Sequence, residues 1–293
     1  MGTSAPELVV NIISGSVPTE GADGVMTHDI VFGNIIGSNI FNIFLILGVS
    51  SVIFPLSVQK NALWKEIPYS LLATFVFFIL VNDQLFFGKE LNELTTFDSG
   101  ILIIMFVMFL VYIFMNLTRN PDESEFADDI VLYGSVKTTV MIVLGIAGLV
   151  FGGQMIVENA VDIATIFGVS EKLIGLTILA AGTSLPELAT SAVAAFQKKS
   201  DLAVGNIVGS NIFNLLLVIG VTGFIHSPLG FPTSLNLDLY FVMTGTLMLF
   251  LFMFTFAKYK LDRSEGVIYL IGFICYMYVL FEREGMGFHL FFD

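Results

Sequence analysis

The chain contains 293 residues, of which 56% are hydrophobic and 13% are charged, and its mean hydropathy is +0.89. A soluble domain normally has about a quarter charged residues, so the composition excludes an ordinary soluble protein and indicates a polytopic membrane protein. The net charge of −13 and the single cysteine, Cys275, give no sign of a nucleic-acid partner or of a disulfide framework.

The predicted elements are apolar helices of membrane-spanning length. In chain order, a partial span runs to about residue 17, and full spans follow near 30–54, 66–82, 100–116, 136–156, 170–196, 202–224, 238–257 and 265–281. The runs are continuously apolar and do not alternate, which disfavours a β-barrel. The predicted fold class is therefore all-α: a polytopic transmembrane helical bundle with about eight full spans after the partial first one.

Two segments of the chain repeat each other. The sequence GNIIGSNIFNIFLILG at 33–48 matches GNIVGSNIFNLLLVIG at 205–220 at eleven of sixteen positions. Each copy follows a GTSxPEL segment, at 2–8 and at 182–188. The offset is 180 residues for the first element and 172 for the second, so the connector in the first copy is eight residues longer. The pattern indicates a duplicated hairpin of two helices.

The lysines and arginines predict how the spans are oriented. Nine of the twelve fall on one set of alternate connectors, which the positive-inside rule places in the cytoplasm: Lys60, Lys65, Arg119, Lys137, Lys198, Lys199, Lys258, Lys260 and Arg263. The connector of the first hairpin, 18–29, then faces outward, and that of the second, 197–201, faces inward. The two repeats are therefore predicted to have inverted topology, with a first repeat over 1–116, a short acidic cytoplasmic linker over 117–135 and a second repeat over 136–293.

The GTSxPEL segments place polar groups inside the membrane. Pro186 has no N–H, and its ring clashes with the carbonyl of Gly182, so the helix is predicted to break there. Thr183, Ser184 and Glu187 then lie on one side, because positions i, i+3 and i+4 share a helix face. The first repeat offers the matching Thr3, Ser4 and Glu7, and the partner helices add Ser38 with Asn42 and Ser210 with Asn214.

These side chains form a set of hard oxygen ligands, which suits Ca²⁺ and Na⁺ better than Zn²⁺ or Cu⁺. The two glutamates supply a charge of −2, which one Ca²⁺ neutralises. Burying a carboxylate in the membrane costs about 2.5–3.5 kcal/mol, so a structural role is a poor explanation for two of them at matched positions. The GxxxG spacing in both repeats is typical of close helix packing, and for Asn39 and Asn211 packing and function weigh equally.

GTSxPEL followed by GNxxGSNxxN, present twice and inverted, resembles the α-repeats of the calcium/cation antiporter superfamily, the sodium/calcium exchangers, and is most similar to their compact prokaryotic type. The resemblance covers essentially the whole chain. It implies ten transmembrane helices in the complete fold and alternating-access exchange of several Na⁺ for one Ca²⁺, with no cofactor because both ions bind as substrates. Carried over by motif match, the implied ion ligands are Thr3, Ser4, Glu7, Ser38, Asn42, the carbonyl of Ala180, Thr183, Ser184, Glu187, Ser210 and Asn214.

Three departures from the family pattern refine this expectation. The position of Asn214 is typically Asp in potassium-dependent exchangers, so the amide here argues for K⁺-independent exchange. The GNxxE signature of the proton/calcium branch is absent, since Gly37 and Gly209 occupy its glutamate position. By repeat symmetry Met1 corresponds to Ala181, so we expect the chain to be N-terminally truncated relative to the family, by on the order of 45 residues.

We therefore expect a multi-pass protein of the cell membrane that exchanges Na⁺ for Ca²⁺, with these ions and the lipid bilayer as its partners and no obligatory protein partner. Exchange of Ca²⁺ or another divalent cation for H⁺ stays open, because paired carboxylates also release protons. The remote alternative is an intramembrane hydrolase that uses Ser4 or Ser184. A serine nucleophile needs a base within hydrogen-bond reach, and His28, His226 and His289 all lie toward the membrane edges, so we expect no enzyme.

Overall fold

The structure is a computed structural model, and it describes residues 3–20, 25–119, parts of 134–155, 171–255 and 258–283. Within these ranges the main helices are α1 (Ala5–Ser14), α2 (Asp29–Ile53), α3 (Ala62–Val81), α4 (Asp83–Phe87), α5 (Thr96–Arg119), α6 (Gly175–Thr183), α7 (Leu185–Phe196), α8 (Ser200–His226), α9 (Thr233–Phe252) and α10 (Arg263–Arg283). Shorter helical segments lie at Val136–Gly145 and at Glu171–Ile174, directly before α6. Short antiparallel strands pair as β1 (Thr19–Glu20) with β2 (Met26–Thr27), β3 (Leu56–Ser57) with β6 (Lys260–Leu261), and β4 (Glu93–Leu94) with β5 (Leu229–Gly230).

Six helices in the described ranges are long and apolar enough to cross a membrane: α2, α3, α5, α8, α9 and α10. Helices α6 and α7 meet at a bend of 53° and make a seventh span when the pair is counted as one. The ten-residue helix α1 corresponds to the predicted partial span. These helices confirm the all-α, polytopic fold class. The linker predicted at 117–135 lies largely outside the described residues, although α5 continues to Arg119. The span predicted at 136–156 is described in part, as helix that includes a short apolar stretch at Val136–Gly145.

Helices α2 and α8, which carry the repeated motif, form the centre of the bundle. In their most apolar stretches 83% of α2 and 72% of α8 is buried, against 28–39% for α3, α5, α9 and α10. The outer helices turn large apolar side chains such as Phe97 and Phe114 outward, as expected where the surrounding solvent is lipid. The polar residues of the repeated motif therefore lie on the two helices that are best shielded from the bilayer.

The connectors of the two hairpins lie at opposite ends of the bundle. The first leads to His28, whose backbone N–H donates to the Gly230 carbonyl at 2.9 Å, next to the β4–β5 pair. The second is next to the β3–β6 pair, where Gln59 Nε2 donates to Asp201 Oδ2 at 3.1 Å. Helix α2 separates these two ends, because it connects His28 to Phe54 and its 25 residues measure about 37 Å. The inverted topology of the two repeats is thereby confirmed.

The broken helix has the predicted form. Helix α6 ends at Thr183, α7 starts at Leu185, and Pro186 lies in the first turn of α7, where a missing N–H does no harm. Pro6 has the same place in α1. The serines that precede the two prolines also match in backbone conformation, with φ −90° and ψ 13° at Ser4 and φ −86° and ψ 3° at Ser184.

Both central helices contain a wide π-helical turn that the sequence analysis did not predict. In α2 it covers Phe41–Ile46, and in α8 it covers Asn214–Val218. A π-turn accommodates one extra residue, and such turns are frequent at functional sites. Here they include Asn42 and Asn214, the two amides among the predicted ligands.

The GxxxG spacing has different consequences in the two repeats. A Cβ atom added at Gly37 would lie 2.6 Å from the carbonyl oxygen of Leu176, so the close approach of α6 to α2 requires glycine there. At Gly205 and Gly209 an added Cβ would meet no atom of the described residues within 4 Å. The packing interpretation is right for Gly37, and the described contacts do not require it at the other two positions.

Candidate cation-binding site

The structure brings all eleven predicted ligand residues into the interior of the bundle, where α1, α2, α6, α7 and α8 meet. Thr3 is half-buried, and the other ten are buried: Ser4, Glu7, Ser38, Asn42, Ala180, Thr183, Ser184, Glu187, Ser210 and Asn214. Both glutamates are 0% exposed. A protein keeps two carboxylates at this depth only where specific groups compensate their charge.

Each glutamate accepts a hydrogen bond from a serine of the opposite repeat. Ser4 Oγ donates to Glu187 Oε1 at 2.7 Å, and Ser184 Oγ donates to Glu7 Oε1 at 3.5 Å. Ser210, which lies in the same repeat as Glu187, also donates to Glu187 Oε1 at 3.2 Å. The carboxylates and hydroxyls of the two broken helices are thus interlocked across the interface between the repeats.

Four buried oxygens of the site have no hydrogen-bond donor among the described residues. They are Glu7 Oε2, Glu187 Oε2, Asn42 Oδ1 and Asn214 Oδ1, and they form two pairs at matched positions of the repeats. Buried polar atoms are nearly always partnered, because an unpaired one costs free energy. Neither glutamate has a salt bridge to a described basic residue. Four acceptors, two of them on carboxylates, suit a cation with oxygen ligands such as Ca²⁺ or Na⁺.

Hydroxyl and carbonyl oxygens from α2 and α6 complete the predicted set. Ser38 Oγ and Thr183 Oγ1 lie 3.3 Å apart, and Ser38 Oγ lies 3.5 Å from the carbonyl oxygen of Ala180. This carbonyl also accepts the backbone N–H of Ser184 at 3.1 Å, so the bend after α6 leaves it within a helical hydrogen bond. A carbonyl oxygen has a second lone pair, and its role as an ion ligand stays a prediction.

Asn39 and Asn211, for which the sequence analysis weighed packing and function equally, contact the amides of the predicted ligands Asn42 and Asn214. Asn42 Nδ2 donates to Asn211 Oδ1 at 2.9 Å, and Asn214 Nδ2 donates to Asn39 Oδ1 at 3.1 Å. Each bond occupies the NH₂ group of a predicted ligand and leaves its oxygen without a donor. The sequence analysis did not place Asn34 and Asn206 near the site, although both lie at matched positions of the repeated motif, which was the available signal.

The hydrolase interpretation relied on a histidine base, and neither described histidine lies beside Ser4 or Ser184. The hydroxyls of Ser4 and Ser184 donate to carboxylates, as described above. His28 lies at the end of the bundle, where its Nδ1 accepts the backbone N–H of Gly230 at 3.1 Å, and burial lowers the pKa of its imidazole. His226 ends α8 at the same end of the bundle, and His289 lies outside the described residues.

The family model described as sodium/calcium exchanger protein matches residues 1–115 and 137–282 of the chain. This chain belongs to the sodium/calcium exchanger protein family. Curated relatives can be aligned over most of the chain. The putative antiporter CaxA of Alkalimonas amylolytica is 37% identical to it over 288 residues, which cover 96% of this chain and 85% of CaxA. The inner membrane protein YrbG of Escherichia coli is 31% identical, covering 96% and 83%.

Further similarities extend to proteins named for their ions. The sodium/calcium exchanger MaX1 of Methanosarcina acetivorans is 27% identical over 317 residues, covering 96% of the chain and 86% of the relative. A solved structure of the sodium-calcium exchanger NCX_Mj, soaked with Na⁺ and without Ca²⁺, superposes with a TM-score of 0.71 at 30% identity, covering 94% of this exchanger-family chain and 83% of NCX_Mj. The likeness therefore extends over both repeats.

Proposed function

We propose that this chain is a secondary active antiporter that exchanges Na⁺ for Ca²⁺ across the membrane by alternating access. One observation carries the proposal: four buried oxygens at matched positions of two inverted repeats, on Glu7, Glu187, Asn42 and Asn214, have no donor among the described residues. Two of these oxygens belong to carboxylates, so a cation is the ligand that satisfies them. Family membership supports the same function, because relatives are named as a sodium/calcium exchanger and as an antiporter.

Exchange, as opposed to one-way transport, follows from a shared set of oxygens. With Glu7 and Glu187 ionised the site has a charge of −2, which one Ca²⁺ or two Na⁺ neutralise. Both cations take oxygen ligands, so they occupy the site in turn and not together. Two bare carboxylates are costly to keep inside the membrane, which disfavours the return of an unloaded carrier and couples the two fluxes.

Alternating access follows from the inverted hairpins. The site is divided between α1 and α2 of one repeat and α6, α7 and α8 of the other, and bonds such as Ser4 to Glu187 run between the repeats. A movement of one hairpin against the other changes which end of the bundle leads to the ions while the ligands themselves stay at the interface. Cation binding replaces hydroxyl donors on the carboxylates and so acts directly on the contacts that join the repeats.

We further infer that transport does not need K⁺. The two amides of Asn42 and Asn214 leave only Glu7 and Glu187 as acids, and a charge of −2 does not balance Ca²⁺ and K⁺ together. Ca²⁺ and Na⁺ are the substrates, and the proposal needs no resident cofactor, no protein partner and no chemical step. We place the protein in the inner or plasma membrane, with the basic end near Lys198 and Lys199 in the cytoplasm.

The proposal is tested by isotopic Ca²⁺ uptake into liposomes that contain the purified chain. We expect uptake when Na⁺ is trapped inside and absent outside, and no uptake when choline replaces Na⁺. The matched control is Glu187→Gln, which should abolish uptake while the protein remains folded. Uptake driven by a pH gradient without any Na⁺ would replace the proposal with Ca²⁺/H⁺ exchange, and uptake without any gradient of Na⁺ or H⁺ would contradict both.

A further inference from the structure

Four asparagines outside the predicted ligand set contact that set from the opposite repeat: Asn34, Asn39, Asn206 and Asn211. We propose that they are positioning residues, each of which holds one cation ligand of the other repeat so that it presents only an oxygen acceptor to the ion. The inference rests on the proposed function, since it concerns how the same site selects its cation.

Two of these asparagines orient the threonines of the broken helices. Thr183 Oγ1 donates to Asn34 Oδ1 at 3.3 Å, and Thr3 Oγ1 donates to Asn206 Oδ1 at 3.4 Å. Thr183 Oγ1 also lies 3.3 Å from the carbonyl oxygen of Ala180 and 3.3 Å from Ser38 Oγ. Asn34 is therefore one of three polar neighbours of this hydroxyl. A hydroxyl whose proton points to an amide oxygen keeps its lone pairs for a cation. The amide is a suitable acceptor because it takes the proton without adding charge to the site.

The amide groups of these two asparagines are themselves held in place. Asn34 Nδ2 donates to Asn11 Oδ1 at 2.8 Å, and Asn11 Nδ2 donates to the carbonyl of Val31 at 3.2 Å. In the other repeat, Asn206 Nδ2 donates to Ser191 Oγ at 3.0 Å. Asn11 and Ser191 are 180 residues apart, the same offset as the GTSxPEL segments. With its NH₂ group engaged outward, each amide directs its oxygen toward the threonine.

The other two asparagines orient the ligand amides. Asn211 Oδ1 accepts from Asn42 Nδ2 at 2.9 Å, and Asn39 Oδ1 accepts from Asn214 Nδ2 at 3.1 Å. Asn39 Nδ2 donates to the backbone carbonyl of Asn211 at 3.3 Å, which fixes the orientation of Asn39. The oxygens left over on Asn42 and Asn214 are the two buried amide oxygens without a donor. A ligand amide that rotated by half a turn would present NH₂ to the cation, and these bonds prevent that rotation.

A purely structural role for the same bonds makes a different prediction. If the asparagines only join the helices, their loss lowers stability and leaves the ion preference of the remaining site unchanged. If they position ligands, their loss changes which cation fits, because a ligand that is free to rotate no longer defines the size of the cage. The ratio of Ca²⁺ affinity to Ba²⁺ affinity separates the two roles, since these ions have equal charge and different radii.

The experiment compares Asn211→Ala, Asn211→Asp and Asn82→Ala in the full chain, purified in detergent. Calorimetric titration with Ca²⁺ and with Ba²⁺ gives the affinities, and thermal unfolding without either ion gives the stability. Asn82 is a matched control, because it and Asn211 are both 2% exposed. Asn82 exchanges hydrogen bonds of 2.8 and 2.7 Å with Asn236 and contacts no predicted ligand.

We expect Asn211→Ala to weaken Ca²⁺ binding by about 10- to 100-fold, the usual effect of removing a residue that orients a metal ligand. The Ca²⁺/Ba²⁺ affinity ratio should fall with it. Asn211→Asp should recover the ratio, because its carboxylate still accepts from Asn42 Nδ2. Asn82→Ala should lower the unfolding temperature and keep both the affinity and the ratio.

An Asn211→Ala protein with unchanged Ca²⁺ affinity and an unchanged ratio would overturn the inference, as would an equal loss of the ratio in Asn82→Ala. If Asn211→Ala does not fold, Asn206→Ala is measured, since Asn206 is only half-buried. It should weaken Ca²⁺ binding and lower the ratio, and an unchanged ratio would likewise overturn the inference. A complete lack of Ca²⁺ binding by the unsubstituted protein would overturn the proposed function as well.

Discussion

Replacing Glu187 by glutamine tests the charge of the site while preserving its shape. Glu187 Oε1 accepts the hydroxyls of Ser4 and Ser210 at 2.7 and 3.2 Å, and the amide oxygen of glutamine can accept both, although more weakly than a carboxylate. The NH₂ group then takes the place of Oε2, which is buried without a donor. The substitution thus turns one acceptor into a donor and removes one of the two negative charges.

The expected loss follows from the burial of that charge. Removing one partner of a buried charge interaction costs about 3–5 kcal/mol, and 1.4 kcal/mol corresponds to a factor of ten. We therefore expect the Ca²⁺ affinity of Glu187→Gln to fall by about 100-fold or more. The ion-free variant should be at least as stable as the unsubstituted protein, because a neutral amide is cheaper to bury than a carboxylate.

Calorimetric titration and thermal unfolding measure the two effects separately. Ca²⁺ should raise the unfolding temperature of the unsubstituted protein by mass action and raise that of Glu187→Gln much less at the same Ca²⁺ concentration. The control is Asp238→Asn, since Asp238 is 1% exposed but is paired with Arg283 at 2.9 Å and accepts from Tyr276. Asp238→Asn should lower the unfolding temperature and retain Ca²⁺ binding. Near-normal Ca²⁺ binding and exchange by Glu187→Gln would refute the reasoning.

Three further outcomes are expected. Cysteines placed at the exposed Ser16 and Lys199, in a background without the native cysteine, should react with an impermeant reagent from opposite sides of the membrane; labelling from one side would contradict the inverted topology. Gly37→Ala should destabilise the protein by about 1–3 kcal/mol in thermal unfolding, because its Cβ meets the carbonyl of α6 at 2.6 Å, and Gly209→Ala should be neutral or stabilising by up to about 1 kcal/mol. Ca²⁺ uptake should be the same with and without K⁺ on both sides of the membrane, and uptake that stops without K⁺ would disprove K⁺-independence. Asn214→Asp should alter the ion preference.

Most spans could be predicted, because a long apolar run bounded by charges has few other structures available to it. For example, the spans predicted at 202–224 and 265–281 correspond to the observed helices Ser200–His226 and Arg263–Arg283. Hydropathy could not show which helices are central, since α5 is more apolar than α2 and yet far less buried. The π-turn at Asn214–Val218 was not predictable either, because a change in backbone hydrogen bonding leaves no mark in a pattern of apolar residues.

The ligand residues could be proposed because they occur twice, but their partners could not. Repetition identifies Ser4 and Glu187 as members of equivalent segments, and it does not show that the hydroxyl of one repeat bonds the carboxylate of the other. That pairing depends on how two hairpins dock, which is a property of their shapes. Asn34 and Asn206 were missed for a related reason, since an asparagine on a buried helix serves packing and positioning equally well.

The cross-repeat bonds also determine when the site comes into existence during synthesis. Ser4 and Glu187 are 183 residues apart in the chain, and a ribosome that adds 5–20 residues per second needs about 10–40 s to connect them. Throughout that interval Glu7 is already made, while the serine that donates to it, Ser184, is still absent. Helix α1 can pack on α2 early, through Asn11, Val31 and Asn34. The cation site itself, however, can form only after α6, α7 and α8 have been made, because more than half of its predicted ligands, among them the serine partner of Glu7, lie there.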